Sequence, residues 1–164
     1  GGRVADFNDI VTKVQAHAVA AVTALRAVQS HGDITDPEFP GAHFHRGLSV
    51  GLVAFDYRTG ESGTNRAMNP RYKLVRVVVR VGYLFGRTAM GVSATVRSSY
   101  DDVSVDALGE LDDIEARVVQ PTQWSGTSPA WVSVRRSGPA TVEKIADLNR
   151  ALATMFLDVE VSIS

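Results

Sequence analysis

The chain has 164 residues, 45% hydrophobic and 21% charged, with a formal net charge of −1 and no cysteine. That length suits one domain able to bury a core without staples, and the near-neutral charge gives no bulk attraction for nucleic acid. The missing cysteines exclude disulfides, thiolate metal sites and thiol catalysis, and fit a reducing compartment. No apolar run approaches the roughly 20 residues of a membrane span, and the amino end lacks the basic-then-apolar order of a signal peptide. The expectation is a chain neither anchored nor exported, with Gly1-Gly2 set aside as a processed, tagged or trimmed start.

From Val4 to Gln29 the residues Phe7, Ile10, Val11, Val14, Ala18, Ala21, Val22, Leu25 and Val28 recur at three- and four-residue steps. This spacing predicts an amphipathic helix of about seven turns with Asp6 and Asp9 near its start. Its other side is rich in alanine (Ala16, Ala20, Ala27) and polar residues, so a second element or another subunit can approach closely. Asp33 to Arg46 reads as an ordered connection. Leu48 to Tyr57 is apolar at both parities and predicts a strand buried on both sides, with Gly47 and Gly51 allowing close approach or a bulge.

Arg58 to Pro70 is rich in Gly, Ser and Asn and predicts a long mobile tip available for assembly contacts. Arg71 to Phe85 is the central strand. Val75, Val77, Val79, Val81, Tyr83 and Phe85 share its core side, while Leu74, Arg76, Val78 and Arg80 form a mixed side. Gly86 to Ser99 has no decisive period. A second helix is expected over 102–119, capped by Asp101 or Ser104, followed by a turn-rich link around Trp124 and a short strand Trp131–Arg136.

Residues 141–151 suit either a helix or a hairpin bending at Asp147-Leu148-Asn149, and the hairpin is preferred. Met155, Leu157, Val159, Val161 and Ile163 then alternate as a closing strand. The whole predicts a single α+β domain over 1–164: a mostly antiparallel sheet of four or five strands with a long amino-terminal helix and a second helix packed on it.

Candidate chemistry is sparse. His43 and His45 would share one side of a strand and could hold a metal with Asp33, Asp36 or Glu38 supplying oxygen, but no third nitrogen ligand stands at a telling distance. Polar surface residues are the simpler reading, and His17 belongs to the flank of the first helix. The acids Asp101, Asp102, Asp106, Glu110, Asp112, Asp113 and Glu115 spread over a helix surface, as solvated faces do. There is no Gly-x-Ser-x-Gly, phosphate loop or dinucleotide fingerprint. Arg135-Arg136 near Trp131, and Arg66 and Arg71 beside Tyr72, are basic-aromatic neighbours too small to make a nucleic-acid patch. No catalytic, cofactor-binding or metal residue is assigned.

The order of a long first helix, the lead-in Phe39-Pro40-Gly41, a strand, a Gly-rich turn, a Tyr/Arg-rich strand, a helix led by Tyr100-Asp101-Asp102 and the closing strand Phe156 to Ile163 resembles the tail terminator proteins of long-tailed bacteriophages. The resemblance is one of element order and texture over nearly the whole chain. It implies a non-enzymatic virion protein without cofactors, assembled in the host cytoplasm into a hexameric ring. Such a ring caps the tail tube, ends its polymerisation and forms the head-joining surface of the neck. Implied partners are other copies of itself, the tail tube protein, a head-completion or connector protein, and genomic DNA passing through the lumen without specific binding; no membrane is involved. The alternative is a small bacterial ligand-binding domain or enzyme with a pocket between the first helix and the sheet.

Overall fold

Alternation and helical spacing sort the described residues into a five-stranded antiparallel sheet and two helices packed on one of its faces. The computed structural model describes residues 3–22, 46–59, 70–85, 99–124, 126–127, 130–145 and 150–162. The elements in chain order are α1 (Arg3–Ala21), β1 (Arg46–Thr59), β2 (Pro70–Leu84), α2 (Tyr100–Val118), a 3₁₀ turn (Pro121–Trp124), β3 (Trp131–Arg136), β4 (Thr141–Ile145) and β5 (Arg150–Ser162). The α+β class and the two-layer packing are as the sequence predicts. The expected continuation of the first helix to Gln29 and the segments 60–69 and 86–98 lie outside the described residues, as do His43, His45, Asp33, Asp36, Glu38 and Arg66.

The sheet order is β1-β2-β5-β3, with β4 also paired to β5. All pairings are antiparallel. β5 is long enough to carry two partners on one side: β4 lies against Arg150–Thr154 and β3 against Leu157–Val161. The preferred hairpin is therefore present, with Ile145 opposite Arg150.

The core follows the parity of β2. Val75, Val77, Val79, Val81 and Tyr83 are buried, and opposite them Val159, Leu157, Met155, Ala153 and Ala151 of β5 are buried too. Helix α1 lays Ile10, Val11, Val14 and Ala18 on this face, and α2 adds Val103, Ala107, Leu111, Ile114 and Val118, the 3.6-residue stripe that hydrophobic burial selects. The Tyr83 hydroxyl donates to the Glu110 carboxylate, joining β2 to α2 where an apolar contact would leave the phenol unsatisfied.

The cap of α2 is Ser99, neither Asp101 nor Ser104. Ser99 is extended (φ −123°, ψ 147°) and its Oγ accepts from the Asp102 N–H at 3.1 Å. Asp101 and Asp102 already lie inside the first turn, where negative charge suits the helix dipole. The Ser104 hydroxyl instead donates to the Asp101 carbonyl at 2.9 Å.

Candidate assembly interface

One half of β1 departs from the expected burial. Leu48 and Val50 are buried on the helix side, and Ser49, opposite Arg80 on the other face, is buried as well. Beyond Gly51 the strand surfaces: Leu52 is 44% exposed, Val53 48%, Phe55 50% and Tyr57 42%. The reading of β1 as buried on both sides holds for Leu48 to Val50 and is corrected for the half beyond Gly51. The whole of β1 ends the sheet, with no described strand on its outer edge, so the difference between its halves lies in what covers its faces: at Phe55 the described cover is the Phe7 ring of α1.

The register supplies the rest of the geometry. Leu52 lies opposite Val77 and Ala54 opposite Arg76, so Val53 is the extra residue of a bulge. The bulge is at Val53 and not at a glycine. At Gly51 a Cβ would sit 3.5 Å from Val78 Cγ1, an ordinary contact, so that glycine is not required by close approach.

The bulge leaves Leu52, Phe55 and Tyr57 on the helix side of the sheet. Phe55 meets Phe7 of α1 with ring centroids 5.0 Å apart, and Tyr57 stands edge-on to Phe55 at 5.8 Å. The Lys73 ammonium lies 4.6 Å from the Phe7 ring centroid, an attractive cation–π placement beside the aromatic corner. Large apolar side chains clustered at a free sheet edge mark a contact surface more often than a solvent face.

The opposite sheet face carries an ion pair across two strands. Arg76 Nε donates to Asp158 Oδ1 at 2.8 Å and its NH2 to Oδ2 at 3.2 Å, a two-point pair across β2 and β5. The hydrogen bond and charge of Asp158 hold the Arg76 guanidinium above its ordinary pKa. A cleft of about 290 Å³ lies here between Ala54, Phe55, Asp56, Leu74, Arg76 and Asp158. Arg150 at the start of β5 is fully buried, and desolvation pulls its guanidinium down to about 10. Nothing in its neighbours Asn149 and Ala151 signals a buried arginine.

The other sequence candidates do not converge. Of the α2 acids, Asp101, Asp102, Asp112 and Asp113 are exposed, Glu110 accepts from Tyr83, and Glu115 pairs with Arg136 Nε at 3.1 Å. Arg135 and Arg136 are exposed while Trp131 is buried, so they form no joint surface with it. His17 is half-buried and edge-on to Trp131 at 6.2 Å; burial, with Arg117 nearby, lowers its pKa against a raising hydrogen bond involving the Gln123 backbone. Among the described residues no group of three or more His, Asp or Glu could hold a metal. No described helix is long and apolar enough to cross a membrane.

The boundary between α1 and the sheet is filled by Ile10, Val11, Val14 and Ala18, all fully buried. A second depression, lined by Thr12, Gln15, Ala16, Val19 and Ala20, is an open trough on the outer side of α1. It coincides with the alanine-rich side seen in the sequence.

No family model matches the sequence, and no curated protein matches it. A solved structure described as "Virion of native gene transfer agent (GTA) particle" contains a chain of the same fold. The two align over 99% of this chain and 100% of that one, with a TM-score of 0.50 and 12% identity.

Proposed function

We infer that the chain is a structural virion protein that closes into a ring at the end of a phage-type tail tube, stops tube polymerisation and presents the surface joined by the head. The observation that carries this reading is the exposed aromatic half of β1, on whose outer edge no described strand lies. A monomer gains nothing from leaving Phe55 and Tyr57 in water, whereas an assembling subunit gains a contact that excludes it. The likeness in fold to a chain of a virion particle supports the same reading. So does the near-neutral charge, which suits a lumen that lets DNA pass without holding it.

A ring needs two unlike surfaces on each subunit whose rotation closes. The resemblance to tail terminators implies six copies, the tube protein below and a connector protein above. No catalytic step is part of this proposal.

The test is tube growth. Tube protein polymerised with and without this chain is measured by electron microscopy. The reading requires tubes with one ring-shaped cap and arrested growth in its presence. Tubes of unchanged length with bare ends would overturn it and leave the ligand-binding alternative in front.

A further inference from the structure

Among the described residues, the sheet ends in two strands of opposite sense. β1, β2, β5 and β3 are each antiparallel to the next, so β3 runs opposite to β1. Among the described residues, no strand pairs with the outer edge of either. A neighbouring copy turned about an axis roughly along the strands would bring its β1 against β3 in antiparallel sense, with both helix layers on the same side. Edge strands left open in this way are templates for strand addition.

The side chains at the two ends are complementary. Each edge carries a bulged valine: Val53 on β1, and on β3 Val132, which is 43% exposed and lies between Trp131 opposite Val161 and Ser133 opposite Glu160. Each also carries an exposed charge on the face away from the helices. Asp56 stands opposite Leu74 on that face, and Arg135 stands opposite Asp158 on the same face. Arg136 is already paired with Glu115, which leaves Arg135 as the outward basic group of β3.

We propose that neighbouring copies of this chain join by continuing the sheet, the outer edge of β1 in one copy adding antiparallel to the outer edge of β3 in the next, with Asp56 brought beside Arg135. The inference rests on the ring reading, because a β1-to-β1 contact is self-complementary and stops at a dimer, whereas β1-to-β3 leaves a free edge at each end until the cycle closes. Backbone hydrogen bonds supply the continuity, and the exposed apolar residues of β1 exclude water beside them. The Asp56–Arg135 pair fixes orientation more than affinity.

The absence of native cysteine makes the test direct. The double variant Asp56→Cys/Arg135→Cys, oxidised at micromolar concentration, is expected to give a covalent ladder ending at the ring. Each single variant should give none, and an equal mixture of the two singles should stop at covalent dimers. Asp56→Arg should weaken assembly by at least about tenfold, and adding Arg135→Asp should restore it, since like charges placed together repel. Covalent dimers from Asp56→Cys alone would overturn the proposal in favour of a β1-to-β1 contact. Rings that cap tubes but never cross-link in the double variant would overturn the pairing and leave the ring reading standing. Absence of any oligomer, with no binding to tube ends, would overturn both.

Discussion

Phe7 of α1 and Phe55 of β1 pack with their ring centroids 5.0 Å apart and their planes at 53°, yet Phe55 keeps half its surface in water. The pair holds the aromatic corner in place within the single subunit. A preorganised contact loses less side-chain freedom on association than a mobile one.

Phe55→Ala should therefore separate folding from assembly. Half-burial of a phenylalanine is worth about 1 kcal/mol to the single subunit. Urea denaturation at a concentration where the subunit is monomeric should show a loss of that order, while the fraction assembled at micromolar concentration falls sharply. A loss in the range of a fully buried residue, with assembly intact, would make the corner part of the core and not a contact.

Leu157→Ala is the contrasting case. Leu157 is fully buried on β5, between β2 and β3. The cavity left should cost about 2–5 kcal/mol by urea denaturation. Removal of residues 155–164 should abolish the cooperative transition, because β5 pairs with β2, β3 and β4. A truncated chain that melted at the same midpoint would show the strand to be an exchangeable arm.

How much of this was legible differs by element. The parity of Val75 to Tyr83 made β2 unmistakable, and Met155 to Val161 did the same for the second half of β5. Its first half, Arg150-Ala-Leu-Ala-Thr154, carries small residues and a buried arginine that show no two-residue period, so the strand starts earlier than alternation indicates. In β1 the apolar residues at both parities predict burial within the chain, which holds only as far as Val50. Sequence pattern records that a side chain avoids water; it does not record whether its own fold or another copy covers it. The bulge at Val53 was equally invisible, being a property of how β1 and β2 register. Asp101 and Ser104 are cap-type residues as good as Ser99 by composition, and only the extended backbone at Ser99 decides between the three.

That cap yields a modest prediction. Ser99→Ala removes the acceptor for the Asp102 N–H and should lower stability by about 1 kcal/mol, read as a shifted urea midpoint with an unchanged slope. Ser99→Asp should recover most of the loss. No change in either variant would mean that solvent satisfies the helix end equally well.

His17 supplies a pH dependence whose sign follows from its lowered pKa. Between the folded value and the ordinary 6.5 the unfolded chain binds a proton that the folded chain does not. Stability from this group is complete above about 6.5 and is lost as the pH falls through that value towards the folded one. The half-exposed ring makes the effect small. His17→Gln should flatten the part of the urea-midpoint profile between pH 7.5 and 5.5 that His17 contributes; an identical slope in the variant would assign the dependence to other groups.

The central claim is that the exposed edge of β1 is covered by another copy of the same chain in a closed ring. Native mass spectrometry of the full chain at micromolar concentration, alone and with tail tubes, tests it most directly. The account predicts a single closed oligomer of more than two copies, alone or on the tube end, and its loss in Phe55→Asp with the monomer still folded. A strict monomer under both conditions, with no binding to tube ends, would contradict it.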